Sequence, residues 1–306
     1  MSSTPILPQQ LGYLGPEGSH SYQSAVRLQA FWQAHSLAGG VEALTLTPFR
    51  SMTELMRAAQ EDTGLLALLP YENALEGSLI EVLEGLGLQK YALFPIAEVL
   101  SAVAHALIAP EDVPIHTVIS HPMALAQCRE QLLARYGSNL RYETVTSTSE
   151  AVRKVRELLD NGQTGWAALG TAAAAALHQL PLRELDLSDA PNNVTRFFLV
   201  SSQAHPLDWA ASLLEHFPEK TSLCVSLPEY PGVLVDFLLI IKSYGVNLTK
   251  LESRPSRKRY GEYFFYMDAE GDLAPVDNGR LLKTLRQKAT YTHVLGPYAC
   301  LGHLQD

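Results

Sequence analysis

The stretch Asn192-Asn193-Val194-Thr195-Arg196-Phe197-Phe198-Leu199-Val200 decides how the rest of the chain is read. Its second half is β-branched and aromatic, the composition of a buried strand. Its first half is polar, with an amide pair, a hydroxyl and a guanidinium. Strand ends that face a crevice are where α/β proteins place their chemistry. On its own the stretch also reads as a loop entering a core strand, with Thr195 serving β propensity and Arg196 solubility. The surrounding chain favours a site.

Upstream, one unit recurs: strand, polar tip, helix. Leu11 to Gly15 is a predicted strand, and Pro16-Glu17-Gly18-Ser19-His20-Ser21 a turn opening a helix marked by Tyr22, Ala25, Val26 and Trp32. Glycines let backbone N–H groups approach a ligand there, and a helix start favours an anion. An ordinary tight turn fits the same residues. The turn is neither a GxGxxG nor a P-loop, so it does not imply a nucleotide. Ser51-Met52-Thr53-Glu54 has capping-box spacing. Leu65 to Leu69 is an apolar run suited to an inner parallel strand, and it ends in Pro70-Tyr71-Glu72-Asn73.

A second run of the same kind follows. Thr117 to Ile119 leads to Ser120-His121-Pro122, with proline at a helix start where its missing N–H costs nothing. Ser147-Thr148-Ser149-Glu150 is a second capping box, and Gly170-Thr171 opens an alanine-rich helix over 172–178. The blocks cover roughly 10–95 and 100–185, and the chain returns through 192–201. This predicts two α/β lobes with a cleft lined by helix N-termini, a trap for carboxylates.

Beyond 201 the pattern changes. Pro206 and Pro218 flank a short amphipathic helix carrying Trp209, Leu213, Leu214 and Phe217. Predicted strands at 221–227, 245–252, 260–268 and 291–296, with helices at 233–243 and 278–288, give β-α-β-β-α-β, the ferredoxin-like order.

Composition sets the bounds. The chain has 306 residues, of which 47% are hydrophobic and 18% charged, enough to build proper cores. A net charge of −9 argues against nucleic acid as main partner and requires a local positive site for any anionic substrate. Cys128, Cys224 and Cys300 lie far apart without CxxC spacing, as in a reduced cytoplasmic protein. The histidines show no HxxxH or HExxH spacing, so no metal site is expected. No segment approaches the ~18 apolar residues of a membrane span. We therefore expect a soluble cytoplasmic protein with no membrane partner.

With both halves in view the chain resembles prephenate dehydratase carrying a C-terminal ACT regulatory domain, from about residue 11 to 299. The motifs are Gly15-Pro16-Glu17-Gly18-Ser19, then Pro70-Tyr71-Glu72-Asn73 with Gly77-Ser78. They continue through Ser120-His121-Pro122-Met123-Ala124-Leu125-Ala126-Gln127-Cys128 and Asn193-Val194-Thr195-Arg196-Phe197. Pro231-Gly232-Val233-Leu234 and Asn247-Leu248-Thr249-Lys250-Leu251-Glu252-Ser253-Arg254-Pro255 look like the family's two phenylalanine-binding motifs. Ala74 and Met123 depart from the family, which commonly has a hydroxyl and an amide there.

The resemblance implies a bilobal α/β catalytic domain with periplasmic-binding-protein-like lobes at 10–201, one lobe being about 10–98 plus 190–201 and the other 99–189. A linker at 202–219 and an ACT domain at 220–299 follow. It implies conversion of prephenate to phenylpyruvate with loss of water and carbon dioxide, using no cofactor or metal. Thr195 is the expected donor to the departing hydroxyl. Ser19, Asn73, Ser120 and Thr148 are candidate hydrogen-bond donors to substrate, beside Phe197. Arg196 offers a carboxylate its fork or is structural, and His121 is a proton carrier or a helix cap. L-Phenylalanine is the expected effector of a homodimer or homotetramer, held by Gly232, Val233, Leu234, Asn247, Leu248, Glu252, Ser253 and Arg254. The alternatives are arogenate dehydratase, a non-aromatising prephenate decarboxylase that would not need Thr195, and a non-catalytic amino-acid-sensing protein.

Overall fold

The strands fall into two separate sheets in the computed structural model, which describes residues 8–34, 44–202, 208–257, 261–277 and 279–304. The first lobe begins with β1 (Gln10–Leu14), α1 (His20–Ala34), β2 (Thr45–Phe49) and α2 (Met52–Glu61). It continues with β3 (Leu65–Asn73), β4 (Gly77–Ser78), α3 (Ile80–Gly87) and β5 (Phe94–Ala102). The second lobe holds β6 (Ala106–Ile108), β7 (Thr117–Ser120), α4 (Pro122–Gln127), α5 (Arg129–Tyr136) and β8 (Arg141–Thr144). It is completed by α6 (Thr148–Asp160), β9 (Trp166–Gly170), α7 (Ala172–Leu177) and β10 (Leu182–Glu184). β11 (Val194–Ser201) then returns to the first lobe.

Local rules explain these elements. Both serines cap their helices: Ser51 Oγ accepts from Glu54 N at 3.2 Å, and Ser147 Oγ from Glu150 N at 3.0 Å, while Glu54 and Glu150 accept from Arg50 N and Thr146 N, one residue before each cap. The apolar run in β3 is buried along nearly its whole length, as a strand covered on both faces must be. β1 pairs in parallel with β2 and β3, while β11 lies antiparallel between β3 and β5. The smaller sheet has the order β10-β6-β9-β7-β8. β5 and β11 are thus the paired strands through which the chain leaves and re-enters the first lobe. The expected change of lobe at 98–99 is displaced, because β5 stays in the first sheet to Ala102.

Gly18 shows how closely the lobes approach. Its φ is +75°, and a Cβ there would stand 2.7 Å from Ser149 Oγ and 2.9 Å from Ala174 Cβ. Thr171 Oγ1 donates to the Gly18 carbonyl at 2.7 Å. The alanine-rich helix therefore packs against the first lobe's turn as well as its own sheet.

After β11 come α8 (Asp208–His216), β12 (Glu219–Ser226), α9 (Val233–Ser243), β13 (Leu248–Pro255), β14 (Tyr263–Glu270), α10 (Arg280–Lys288) and β15 (Tyr291–His303). The β-α-β-β-α-β order read from the sequence is present, with strands ordered β13-β14-β12-β15. The closing strand, expected to stop at 296, instead runs on to His303. Its last residues pair in parallel with β5, Ala299 opposite Ala97 and Cys300 opposite Glu98. The C-terminal strands and the first lobe are consequently one continuous sheet. Ala299, Leu301 and Leu304 share a core with Leu11, Leu28 and Phe197, and Leu213 of α8 is buried in it too. The segment expected as a linker is thus partly core. Each such leucine contributes about 1.5–3 kcal/mol on burial.

Candidate active site

A cleft of about 400 Å³ opens between the lobes. Side chains along β11 alternate between its two faces. Thr195 and Phe197 take the face toward α1 and the cleft, with Phe197 in the core beside Leu28. Arg196 and Phe198 take the other face.

Thr195 is only 7% exposed and sits in a small amide network. Asn73 Nδ2 donates to Thr195 Oγ1 at 3.0 Å and to Asn193 Oδ1 at 2.8 Å. Asn73 Oδ1 accepts from Leu75 N and Glu76 N at 2.9 and 3.1 Å, which fixes the orientation of the amide. With its oxygen accepting from Asn73, the Thr195 hydroxyl has its proton available to donate.

Of the residues expected at the site, Asn73, Thr148, Thr195 and Phe197 line the cleft together. Ser19 does not. Its Oγ accepts from Tyr22 N at 3.2 Å and donates to the Leu14 carbonyl at 3.2 Å, so the hydroxyl caps α1. Ser120 does not either, because its fully buried Oγ donates to the Leu169 carbonyl at 2.8 Å and ties β7 to β9. His121 lines the cleft and also caps α4, its Nδ1 accepting from Met123 N at 3.3 Å. Of the two departures, Met123 lines the cleft while the exposed Ala74 is not among the lining residues.

Of the two readings of Arg196, a carboxylate fork and a structural role, its contacts here fit the structural one. Its Nε donates to Glu98 Oε2 at 2.6 Å, its Nη2 to Tyr298 Oη at 3.0 Å, and its Nη1 to Asp268 Oδ2. Its Cζ lies 5.1 Å from the Tyr71 ring centre and 5.0 Å from that of Phe198. Burial opposes the guanidinium's charge, but Asp268 and its other neighbours outweigh that and hold the pKa above its usual value. Thr195 being on the cleft, strand alternation alone requires Arg196 to face away.

Several lining residues were not singled out from the sequence: His20, Glu76, His105, Gln127 and Asn193. Gln127 Nε2 donates to Glu76 Oε1 at 3.0 Å, which turns its carbonyl oxygen to His105 Nε2 at 2.8 Å and makes that nitrogen the donor. Burial, more than the Gln127 bond opposes, lowers the His105 pKa. Gln127 and Asn193 stand inside the motifs quoted above, and that was the available signal. No lysine or arginine is among the described residues lining the cleft. Positive potential there comes from helix starts, those of α1 and α6, whose first-turn N–H groups have no intrahelical partner. Among the described residues no group of three or more His, Cys, Asp or Glu side chains is placed to hold a metal.

The predicted effector residues are not gathered into one cavity in the single chain. Asn247 and Leu248 line a groove of about 540 Å³ with Val235, Leu239 and Lys242. Gly232, with φ +89°, starts α9, and Val233 and Leu234 follow it. Glu252 and Arg254 face the first lobe instead: Arg254 Nε donates to Glu252 Oε1 at 2.6 Å, and Ser78 Oγ donates to Glu252 Oε2. Ser253, between them on β13, points to the opposite face.

The fold and cleft define a two-lobed α/β protein whose cleft is lined by residues at the starts of α1 and α6 and by Thr195. The prephenate dehydratase family model matches residues 11–205, and the chain belongs to that family. It is 33% identical to prephenate dehydratase of Methanocaldococcus jannaschii over 78% of this chain and 82% of that one. It is 32% identical to arogenate dehydratase 2 of Petunia hybrida over 96% of this chain and 75% of that one. A solved prephenate dehydratase from Arthrobacter aurescens in complex with L-Phe superposes with a TM-score of 0.75 at 28% identity, covering 95% of this chain and 89% of that one.

Proposed function

We propose that Thr195 donates a hydrogen bond to the leaving hydroxyl as this chain converts prephenate to phenylpyruvate. By family the chain is a prephenate dehydratase, an enzyme of phenylalanine biosynthesis. The electron pair of the breaking bond to the ring carboxylate flows into the ring and expels the hydroxyl, which takes up a proton from solvent and leaves as water. The products are carbon dioxide, water and phenylpyruvate, and the aromatic ring supplies the driving force. Threonine is too weak an acid to give up its proton early, so the bond from Thr195 tightens as charge develops on the departing oxygen. The observation that carries this reading is the 3.0 Å contact from Asn73 Nδ2 to Thr195 Oγ1, which leaves the hydroxyl as donor.

The ring carboxylate must lose its charge on the way to carbon dioxide. A lysine or arginine beside it would stabilise the ground state more than the transition state. Neutral N–H donors at the start of α6, with Thr148, suit this requirement better. Product analysis with purified wild-type chain and Thr195→Val decides the reading. Wild type must form phenylpyruvate from prephenate, and Thr195→Val must fail to do so at a comparable rate.

Arogenate is the second substrate reading, favoured by one observation. Glu76 places a carboxylate on the cleft wall, where it would meet the ammonium by which arogenate differs from prephenate. Assaying both substrates side by side separates the two.

We read the segment 220–299 as an ACT regulatory domain for L-phenylalanine. Its support is the strand and helix order together with the groove that includes Asn247 and Leu248. Val235, Leu239 and Leu251 are 59%, 53% and 47% exposed, an apolar surface suited to a second copy of the chain. We read the enzyme as a homodimer or homotetramer of the cytoplasm, with the effector held where two such surfaces meet.

A further inference from the structure

His20, the first residue of α1, lines the cleft, yet both its ring nitrogens are buried without a hydrogen-bond partner. Its ring centre is 5.9 Å from that of Phe197 and tilted by 47°, which places it one pleat along β11 from Thr195 on the same face. A buried polar atom left unpaired costs about 1–3 kcal/mol, so an imidazole with two of them is expensive unless something else completes it. The charged and titratable groups acting on it are His105 and Arg27, neither of which is an acceptor carboxylate. Burial, then these two neighbours, bring its pKa down to about 4, so the free ring is neutral and has one N–H to give. The same helix start offers first-turn N–H groups, among which Tyr22 N is already taken by Ser19 Oγ at 3.2 Å.

We propose that His20 is a substrate-contacting residue, its ring N–H joining the first-turn N–H groups of α1 to hold the side-chain carboxylate of prephenate. This rests on the reading of the cleft as the prephenate site. The side-chain carboxylate is chosen because it survives the reaction, whereas the ring carboxylate must shed its charge at a place without strong donors. An approaching carboxylate also supplies the partner that the ring lacks.

Phenylpyruvate keeps the same side chain and serves as the probe. In the full chain, His20→Phe preserves an aromatic ring and removes the N–H, and His20→Gln restores a donor. A hydrogen bond to a charged group corresponds to roughly 10–100-fold in affinity. His20→Phe should raise the KM for prephenate and the calorimetric Kd for phenylpyruvate by that factor, with kcat held within about threefold, and His20→Gln should recover most of the loss. Unchanged Kd in folded His20→Phe, or a loss confined to kcat, overturns the proposal. Should His20→Phe not fold, the ring ¹⁵N signals of His20 in wild type decide, since they must shift when phenylpyruvate is added and a static spectrum overturns it. Wild type that binds phenylpyruvate through His20 but does not turn over prephenate would sink the functional reading while leaving this contact standing.

Discussion

Thr195 and Arg196 are consecutive on β11 and serve different compartments: the hydroxyl meets Asn73 at 3.0 Å in the cleft, while the guanidinium meets Tyr298 at 3.0 Å in the seam with the C-terminal domain. The same division holds one strand away. Asn73 faces the cleft, and Glu72 binds Lys250 of β13 at 2.7 Å. The cleft wall and the domain seam are therefore two faces of the same pair of strands.

For Thr195 the expected outcome is kinetic. Thr195→Val should lower kcat by roughly 10²–10⁴-fold, the range for a positioned proton donor, and change KM far less. Steady-state kinetics with prephenate check this, and near-normal turnover by a folded variant would remove Thr195 from the mechanism.

Arg196 should act on stability first. Glu98 and Asp268 are 3% and 0% exposed, and Arg196→Met would leave both carboxylates buried beside one fewer cation. Breaking such a buried cluster costs about 3–5 kcal/mol. Arg196→Lys should cost less but still be felt, because an ammonium cannot reach Glu98, Asp268 and Tyr298 at once. Urea unfolding of both variants tests the order.

The pH dependence follows from His20. Its ordinary pKa of 6.5 falls to about 4 in the folded chain, because of burial first and then His105 and Arg27. Between those values the unfolded chain binds a proton that the folded chain refuses, so stability falls as pH drops through this window and levels off below it. The full effect is about 3 kcal/mol. Relative to wild type, His20→Phe should lose less stability on going from pH 7 to pH 4.5, and equal losses would contradict the assignment.

Truncation should expose the continuity of the sheet. A boundary near 220 suggests a removable regulatory domain, but β15 pairs with β5 and sends Leu301 and Leu304 into the first lobe's core. Removing only residues 297–304 should cost several kcal/mol, at about 1.5–3 for each buried leucine. A thermal melt indistinguishable from wild type would show that the strand is dispensable.

L-Phenylalanine should lower activity and raise the melting temperature, adding about 2.7 kcal/mol at 100 times its Kd. Gly232 has φ +89° with open space around it, so Gly232→Val is penalised by backbone strain alone. That variant should lose the response to phenylalanine. Leu239→Glu places a charge on the exposed face of α9 and should shift sedimentation toward the monomer, whereas an unchanged assembly would relocate the interface.

Features that depend on neighbours in the chain are legible without the tertiary structure. Helix caps at Ser51 and Ser147, the apolar run of β3 and the β-α-β-β-α-β order are all local patterns, and each is present. Thr195 at a strand mouth was legible for the same reason. The side of the strand taken by Arg196 was implicit in strand alternation, but what covers that side was not, because Asp268 and Tyr298 lie about seventy and a hundred residues away. Ser19 and Ser120 look like available hydroxyls until the structure shows them occupied by Tyr22 N and the Leu169 carbonyl. His20 looks like one more turn residue until folding buries both its nitrogens. Joining β15 to β5 was likewise a tertiary decision, since pairing between distant strands is set by which edges folding brings together and leaves no periodicity in either segment.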